Sequence, residues 1–98
     1  MKVKVYFCKE TDPGYILKRK KVSRQALNTI YELVWECEFK NMLNAGRIWL
    51  KFKDEQPFGI PLKQNRSHKK INLGDLIQLS DTLYMVDEIG VEKVDIVD

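Results

Sequence analysis

Short apolar runs separated by turn-forming residues characterise the last third of the chain. Two runs, residues 76–79 and 83–86, are rich in Leu, Ile, Val, Met and Tyr. Gly74 and Asp75 precede the first run, Ser80 and Asp81 separate the two, and residues 87–91 provide a further turn. This pattern predicts a β-hairpin on which the other elements pack. We expect Gly74 to need a backbone angle that glycine alone adopts without strain.

The N-terminal residues alternate with the period of a β-strand that has one solvated face. Val3, Val5 and Phe7 are separated by Lys4 and Tyr6, which predicts a first strand. Residues 11–14 include Pro and Gly, so we predict a turn after which residues 15–22 return antiparallel to that strand. A cationic run in this second arm is typical of an edge strand, where it discourages pairing between molecules.

Apolar side chains then recur at helical spacing after a potential N-cap at Ser23. The stripe consists of Leu27, Ile30, Tyr31, Val34 and Cys37. It predicts one amphipathic helix over residues 24–39, with its apolar side against the sheet. Trp35 lies off this stripe, and the pattern leaves open whether it belongs to the core or to a contact surface.

The segment after this helix shows the clearest alternation in the chain. Its two alternating sets are Ile48, Leu50 and Phe52 on one side and Arg47, Trp49, Lys51 and Lys53 on the other. The alternation predicts a strand with Trp49 on its solvated face. Residues 54–57 provide a turn, and the nearby prolines confine a short return over residues 58–62 to a sheet edge.

The predicted order of elements, β-β-α-β-β-loop-β-β, is typical of the α+β class. We predict a mixed or antiparallel sheet with one helix packed across one face, similar to a β-grasp arrangement. Because 98 residues suffice to close one hydrophobic core but not two, residues 1–98 are predicted to form a single domain.

The C-terminal third also resembles a known family. Asn65-Arg66-Ser67, Leu73-Gly74-Asp75-Leu76-Ile77 and residues 83–91 are similar to the Arg-Ser entry, the Gly-Asp turn and the Tyr-x-Val-Asp-x-Ile-Gly return of the YodL-like domain family. Residues 27–33 and 4–6 are similar to the helical piece and the opening strand of that family. The family is common on phages, plasmids and other mobile elements. The resemblance implies a small accessory protein that binds a host or element-encoded protein, and it implies no general biochemical activity.

The hydropathy of the chain argues against a membrane-spanning or secreted protein. No apolar run approaches the roughly twenty residues that cross a bilayer, and the N-terminus alternates instead of forming a signal peptide. We therefore expect a soluble, cytoplasmic protein.

Residues 1–72 contain 16 basic and 7 acidic residues, whereas residues 73–98 contain 1 basic and 7 acidic residues. This asymmetry fits a nucleic-acid surface or, as we favour, an acidic last strand that lies beside basic ones.

Few residues of the chain are candidates for catalysis, metal binding or cofactor binding. The chain has one histidine, His68, and two cysteines, Cys8 and Cys37, which are too few and too scattered for a zinc site and favour buried thiols over a disulfide. His68 lies in a basic loop with no predicted orienting partner, so we expect it to be solvated. The five glycines stand singly, and no phosphate-binding motif occurs. We therefore predict no cofactor, no metal and no enzymatic activity.

Two binding hypotheses remain. The first is a protein-binding modulator anchored by Trp49 between Arg47 and Lys51, with Trp35 as a further contact, because Trp and Arg are common anchors of interfaces. The second is a nucleic-acid-binding protein with a basic phosphate track and with Trp49 or Tyr15 as a stacking platform. Its basic residues are Lys18, Arg19, Lys20, Lys21, Arg47, Lys51, Lys53, Arg66, Lys69 and Lys70. Protein binding ranks first, because no nucleic-acid recognition signature accompanies the basic residues.

Overall fold

A computed structural model describes residues 1–9, 21–41 and 43–97 of the chain. Within these ranges, six strands and two helices follow one another. The strands are β1 (Lys2–Cys8), β2 (Lys21–Ser23), β3 (Tyr31–Glu38), β4 (Leu76–Leu79), β5 (Thr82–Asp87) and β6 (Gly90–Val97). The helices are α1 (Arg24–Thr29) and α2 (Ala45–Lys51), and a 3-10 turn covers Pro57–Gly59.

The strands form one sheet in the order β2-β6-β5-β4-β1-β3. Neighbouring strands are antiparallel except for β2 and β6, which run parallel. β1 is an inner strand, with Val5 opposite Trp35 of β3 on one side and opposite Ile77 of β4 on the other. The β1–β3 register shifts after Val5, and Val34 is the additional residue of this β-bulge.

Two apolar clusters lie on opposite faces of the sheet, because successive residues of a strand point to opposite sides. On one face, Val3, Val5 and Phe7 of β1 pack in a cluster with Ile48 and Phe52 from α2 and the residue after it. The cluster on the other face packs against α1, and its buried members are Cys8, Val22, Tyr31, Leu76, Leu83, Met85 and Val94. Each face of the sheet therefore has a helix packed on it.

Several predictions from the sequence are confirmed. The chain has the α+β class, with a mixed sheet and a packed helix, and β1 and the β4–β5 hairpin lie where the apolar patterns place them. Ser23 caps α1, since its hydroxyl accepts a hydrogen bond from Ala26 N at 3.0 Å. Gly74 has a φ of 87°, a left-handed value that glycine adopts at low cost. β6, which is not among the predicted strands, pairs with β5 after a turn at Glu88 and Ile89.

The predicted helix over residues 24–39 is wrong beyond Thr29. α1 ends there, and β3 follows and pairs with the whole of β1. Asn28 and Thr29 are weak helix formers, whereas Tyr31, Val34 and other residues of β3 favour strands. Because the neighbouring edge of β1 offers hydrogen-bond partners to every second residue of this segment, strand pairing outweighs the helical period.

The predicted strand over residues 47–53 is also wrong, because Ala45–Lys51 form α2. Asn44 caps this helix, with its Oδ1 atom accepting a hydrogen bond from Arg47 N at 2.8 Å. The buried residues Ala45, Ile48 and Phe52 recur at i, i+3 and i+7, which is a helical spacing. Ile48 and Phe52 fit a strand and a helix equally well, so the alternation alone does not separate the two.

Two predicted pairings differ from the structure. Lys21–Ser23, the end of the predicted second arm, pairs in parallel with β6 instead of antiparallel with β1, because both sides of β1 are occupied by β3 and β4. The rest of that arm and its turn lie in residues 10–20, outside the described residues. The predicted return over residues 58–62 contains part of the 3-10 turn and no strand. Its proline, Pro61, lacks the amide that a sheet ladder requires.

Basic and acidic strands lie side by side in the sheet. Lys2 Nζ is 2.6 Å from Glu36 Oε1 across the β1–β3 pair, and Lys21 of β2 is the register partner of Asp95 in β6. The Lys2–Glu36 pair lies within residues 1–72, whereas the Lys21–Asp95 register joins the basic part of the sequence to the acidic part. This register supports internal complementarity as one reason for the charge asymmetry along the chain.

The two cysteines are thiols. Cys8 is the register partner of Tyr31 and Cys37 that of Val3, at opposite ends of the β1–β3 pair. A disulfide between them is excluded in this fold, because their Cα atoms are several strand residues apart.

Candidate functional site

Asp75 is a fully buried carboxyl group at the entry to β4. Its Oδ1 atom accepts a hydrogen bond from Cys8 N at 2.8 Å. Its Oδ2 atom accepts one from Asn72 N at 2.7 Å and lies 2.7 Å from His68 Nε2. One side chain thus connects the end of β1, the turn before β4 and the basic loop over residues 63–70.

Burial raises the pKa of Asp75 from 3.8 to about 6. The hydrogen bonds from Cys8 N, His68 and Asn72 N act in the opposite direction because they stabilise the carboxylate, but they offset only part of the desolvation. Carboxyl groups with pKa values raised by burial cluster at functional sites, so Asp75 and its neighbour His68 form a candidate site.

His68 is not a solvated side chain, and the prediction that it lacks an orienting partner is wrong. Its ring stacks on Phe7 with 4.3 Å between ring centroids and 9° between ring planes. Asp75 binds the Nε2 edge of the ring, and 27% of the side chain is exposed. One edge and one face of the ring are therefore fixed, and Nδ1 lies on the remaining polar edge.

Arg66 organises the basic loop around His68. Its Nη1 atom donates a hydrogen bond to Lys63 O at 2.7 Å, and its Nε and Nη2 atoms donate to Lys69 O at 3.2 and 2.8 Å. Ser67 N donates to the carboxylate of Glu32 on β3. Because the loop is closed by its own carbonyl groups and tied to the sheet, His68 is held in place by the fold.

His68 lines an open cleft with a volume of about 670 Å³. The basic loop forms one part of its wall and contributes Lys69 and Lys70, and Pro61 and Leu62 form an apolar part. Asp75, being fully buried, lies behind the imidazole. Proteins use the order carboxylate, imidazole, open site to orient a histidine and to set which of its nitrogens carries the proton.

The two tryptophans proposed as partner contacts, Trp35 and Trp49, both pack against the core in the structure. Trp35 is buried, and its Nε1 atom donates a hydrogen bond to Ile60 O at 3.1 Å, so it belongs to the core and presents no surface to a partner. Trp49 is half-buried against the α2-side cluster, with Lys53 Nζ 5.5 Å from its ring centroid. Trp49 does not lie on a solvated strand face, because the helix turns it toward the core.

α2 instead exposes Leu50, of which 54% is accessible. Arg47 lies three positions before Leu50 and four before Lys51, so the three exposed side chains share one side of the helix. Lys51 Nζ lies 6.0 Å from the ring centroid of Phe58, which is 38% exposed. We call Arg47, Leu50, Lys51 and Phe58 the α2 face.

Phe58 has a backbone conformation that is uncommon for a residue with a side chain. Its φ is 54° and its ψ is 27°, which places it in the left-handed region. Its ring packs edge to face on Phe39 at 5.0 Å and lies 6.0 Å from Trp35. These contacts hold the strained backbone and leave part of the ring at the surface.

The basic residues proposed to contact nucleic acid fall into several groups. Lys18, Arg19 and Lys20 lie outside the described residues. Lys21 is exposed on the edge strand β2. Lys51 and Lys53 lie near aromatic rings, Arg66 binds loop carbonyls, and Lys69 and Lys70 line the cleft.

Asp75 and Leu50 are absent from the residues that the sequence predicts as site residues. The Asp75 contact with Cys8 joins residues 67 positions apart, and no local pattern indicates it. Leu50 has a local signal, because an N-cap at Asn44 and the helical spacing of Ala45 and Ile48 would together place Leu50 outward.

The chain matches no protein-family model, and neither curated proteins nor solved structures include a significant match to it. The resemblance to the YodL-like family therefore stays a prediction. Among the helices that the structure describes, none is long and apolar enough to span a membrane. The described side chains also include no group of three or more His, Cys, Asp or Glu residues placed to hold a metal ion.

Proposed function

We propose that the protein is a small, non-catalytic accessory protein that binds a partner protein through the α2 face. The observation that carries the proposal is the 54% exposure of Leu50 on a helix side that it shares with Arg47 and Lys51. Arginine and aromatic residues are enriched in protein interfaces, and Leu50 adds apolar contact area beside Arg47 and the exposed ring of Phe58. This proposal moves the anchor from Trp49 to its neighbour Leu50.

The partner segment is expected to combine large apolar side chains with carboxylates. Leu50 and Phe58 supply apolar contact area, and Arg47 and Lys51 supply positive charge beside it. A segment with this composition buries its apolar groups while its carboxylates pair with the two cations at the rim, where charge pairing favours the correct partner. We propose such a segment on a cytoplasmic protein of a host or of a mobile element.

Selection from a random peptide library displayed on phage tests this proposal. The immobilised protein is expected to enrich peptides that combine Asp or Glu with Leu, Phe or Trp. Leu50→Lys should abolish this enrichment, because a third cation replaces the apolar anchor. Ile89→Lys is the matched control, since Ile89 is 93% exposed but lies in the β5–β6 turn, and this variant should enrich the same peptides as the wild type.

Two results would contradict the proposal. One is an equal loss of enrichment in Leu50→Lys and Ile89→Lys, which would indicate non-specific adhesion to exposed apolar residues. The other is the absence of any enriched peptide together with binding to duplex DNA that falls roughly a hundredfold between about 50 and 200 mM salt, as expected for about four phosphate contacts. The second result would favour the nucleic-acid alternative.

A further inference from the structure

We infer that the cleft beside His68 binds the phosphate group of a small phosphomonoester. This site is separate in its residues from the α2 face, and it requires no partner protein. The juxtaposition that supports it is an imidazole fixed by the buried Asp75, with two lysines and an apolar wall around the same opening.

The charge of the cleft favours an anion. Arg66, His68, Lys69 and Lys70 line it, and Glu55 is the one acidic residue among the described residues of the lining. Lys69 and Lys70 are exposed and form no ion pair within the part of the chain that the structure describes. A phosphomonoester carries about −1.5 to −2 charges near neutral pH, so it complements two ammonium groups better than a carboxylate does.

His68 adds a directed hydrogen bond to this charge. With Asp75 ionised, the proton on Nε2 of His68 points at the carboxylate, and a second proton makes Nδ1 a donor as well. From that form of the ring, a phosphate oxygen near Nδ1 accepts a charge-assisted hydrogen bond. Phe7 stacks on the ring and fixes its plane, and the contact of Nε2 with the buried Asp75 leaves Nδ1 on another edge of the ring.

The size and walls of the cleft indicate a ligand larger than phosphate alone. Its volume of about 670 Å³ lies within the range of roughly 300 to 1,000 Å³ that is typical of small-molecule sites. Pro61 and Leu62 provide an apolar surface, and Gln56 and Gln64 provide amide groups. A compact organic group attached to the phosphate therefore has room against the apolar wall.

Hydrogen bonds within the protein organise the loop, which lowers the free-energy cost of binding a ligand. Arg66 donates three hydrogen bonds to loop carbonyls, and Ser67 N is bound by Glu32. The imidazole of His68 therefore needs little rearrangement to meet a phosphate group.

Proton NMR of the imidazole tests the inference directly. Because the chain has one histidine, the Hε1 and Hδ2 signals of His68 report on this site alone. Phenyl phosphate should shift these signals saturably, and inorganic phosphate should shift them with weaker affinity. Phenol should have no effect, and benzoate should bind at least about tenfold more weakly than phenyl phosphate, a difference of ~1.4 kcal/mol.

A pair of double variants with equal charge loss separates the cleft from general electrostatics. Lys69→Ala combined with Lys70→Ala should weaken phenyl phosphate binding at least about tenfold. Lys40→Ala combined with Lys93→Ala removes the same charge at exposed positions outside the cleft and the α2 face, and it should leave the affinity within about twofold. Equal weakening by both pairs, equal affinity for benzoate, or no saturable shift with either phosphate would overturn the inference. None of these results would alter the peptide selection proposed for the α2 face.

Discussion

The cleft and the α2 face differ in how their side chains relate to the fold. At the cleft, the group that orients the site is Asp75, which is fully buried and accepts hydrogen bonds from the backbone amides of Cys8 and Asn72. At the α2 face, the central group is Leu50, which points into solvent. The chemistry of the cleft is therefore coupled to the stability of the sheet, whereas that of the α2 face is not.

This difference decides what a substitution can reveal in each region. A change at Asp75 removes partners from buried amides, so any loss of ligand binding must be compared with the loss of stability. A change at Leu50 is expected to alter stability by at most about 0.5 kcal/mol, so it reports on binding alone. Peripheral cleft residues such as Lys69 and Lys70 behave like Leu50 in this respect.

The largest expected effect is that of Asp75→Ala. We expect the free energy of unfolding to fall by about 2 to 5 kcal/mol, because the backbone amides of Cys8 and Asn72 lose their hydrogen-bond acceptor. His68→Ala is the control, and its effect should be smaller because the carboxylate still accepts from Cys8 N and Asn72 N. Urea denaturation measures both, and a loss below about 1 kcal/mol for Asp75→Ala would show that the cleft is not coupled to the fold.

The pH dependence of stability gives the second effect. The pKa of Asp75 is about 6 in the folded protein, whereas an ordinary Asp side chain, as in the unfolded chain, has a pKa of 3.8. Between these two pH values the folded state therefore holds more protons than the unfolded state. The free energy of unfolding should therefore decrease as the pH rises from about 4 to 6.5, by at most about 3 kcal/mol from this group. Asp75→Asn should lack this contribution. Parallel pH profiles of the two proteins would contradict the burial of a titrating carboxyl group.

Replacing one glycine in each region by alanine should change the free energy of unfolding by an intermediate amount, with opposite signs in the two regions. Gly74→Ala should lower the free energy of unfolding by about 1 to 3 kcal/mol, because the φ of 87° is strained for alanine. Gly46→Ala, inside α2, should raise it by about 0.5 to 1 kcal/mol, since alanine favours helices. Thermal and urea denaturation compare the two variants. A stabilising Gly74→Ala would mean that the turn that carries Asp75 differs from the one described here.

The smallest expected effect concerns the backbone of Phe58. Phe58→Ala and Phe58→Gly both lose the ring contacts with Phe39 and Trp35, but only glycine relieves the left-handed conformation. Phe58→Gly should therefore be more stable than Phe58→Ala by about 1 kcal/mol, the reverse of the order in ordinary helix interiors. The two variants should bind a selected peptide equally weakly, because both lack the aromatic ring. An equal or lower stability of the glycine variant would show that the backbone is not strained.

The regular part of the fold could be predicted because its determinants are local. Turn residues such as Gly74 and Ser80 and the short apolar runs beside them define β4 and β5, and Ser23 defines the start of α1. Residues 31–38 could not be assigned in this way, because their apolar positions fit a helix and a bulged strand alike, and pairing with β1 decides between them. Local sequence patterns predict an element reliably where turn residues fix its register. They fail where pairing with a strand distant in the sequence decides the structure.

The candidate site was predictable only in its exposed part. Arg47 and Lys51 were expected on a solvated surface and are exposed, although on a helix. Asp75 is the hydrogen-bond partner of His68. Asp75 also accepts a hydrogen bond from Cys8, and this contact depends on how β1 and the turn before β4 come together in the fold. Such contacts between distant residues are set by the topology, which no short segment of the sequence contains.

Chemical-shift mapping with a peptide from the library selection tests the central claim most directly. An acidic, apolar peptide added to ¹⁵N-labelled protein should shift the backbone amide signals of Arg47, Leu50, Lys51 and Phe58. The signals of Arg66, Lys69 and Lys70 at the cleft should stay unchanged, because they belong to the other region. Shifts centred on the cleft, with the amides of the α2 face unchanged, would contradict the proposal that α2 binds the partner.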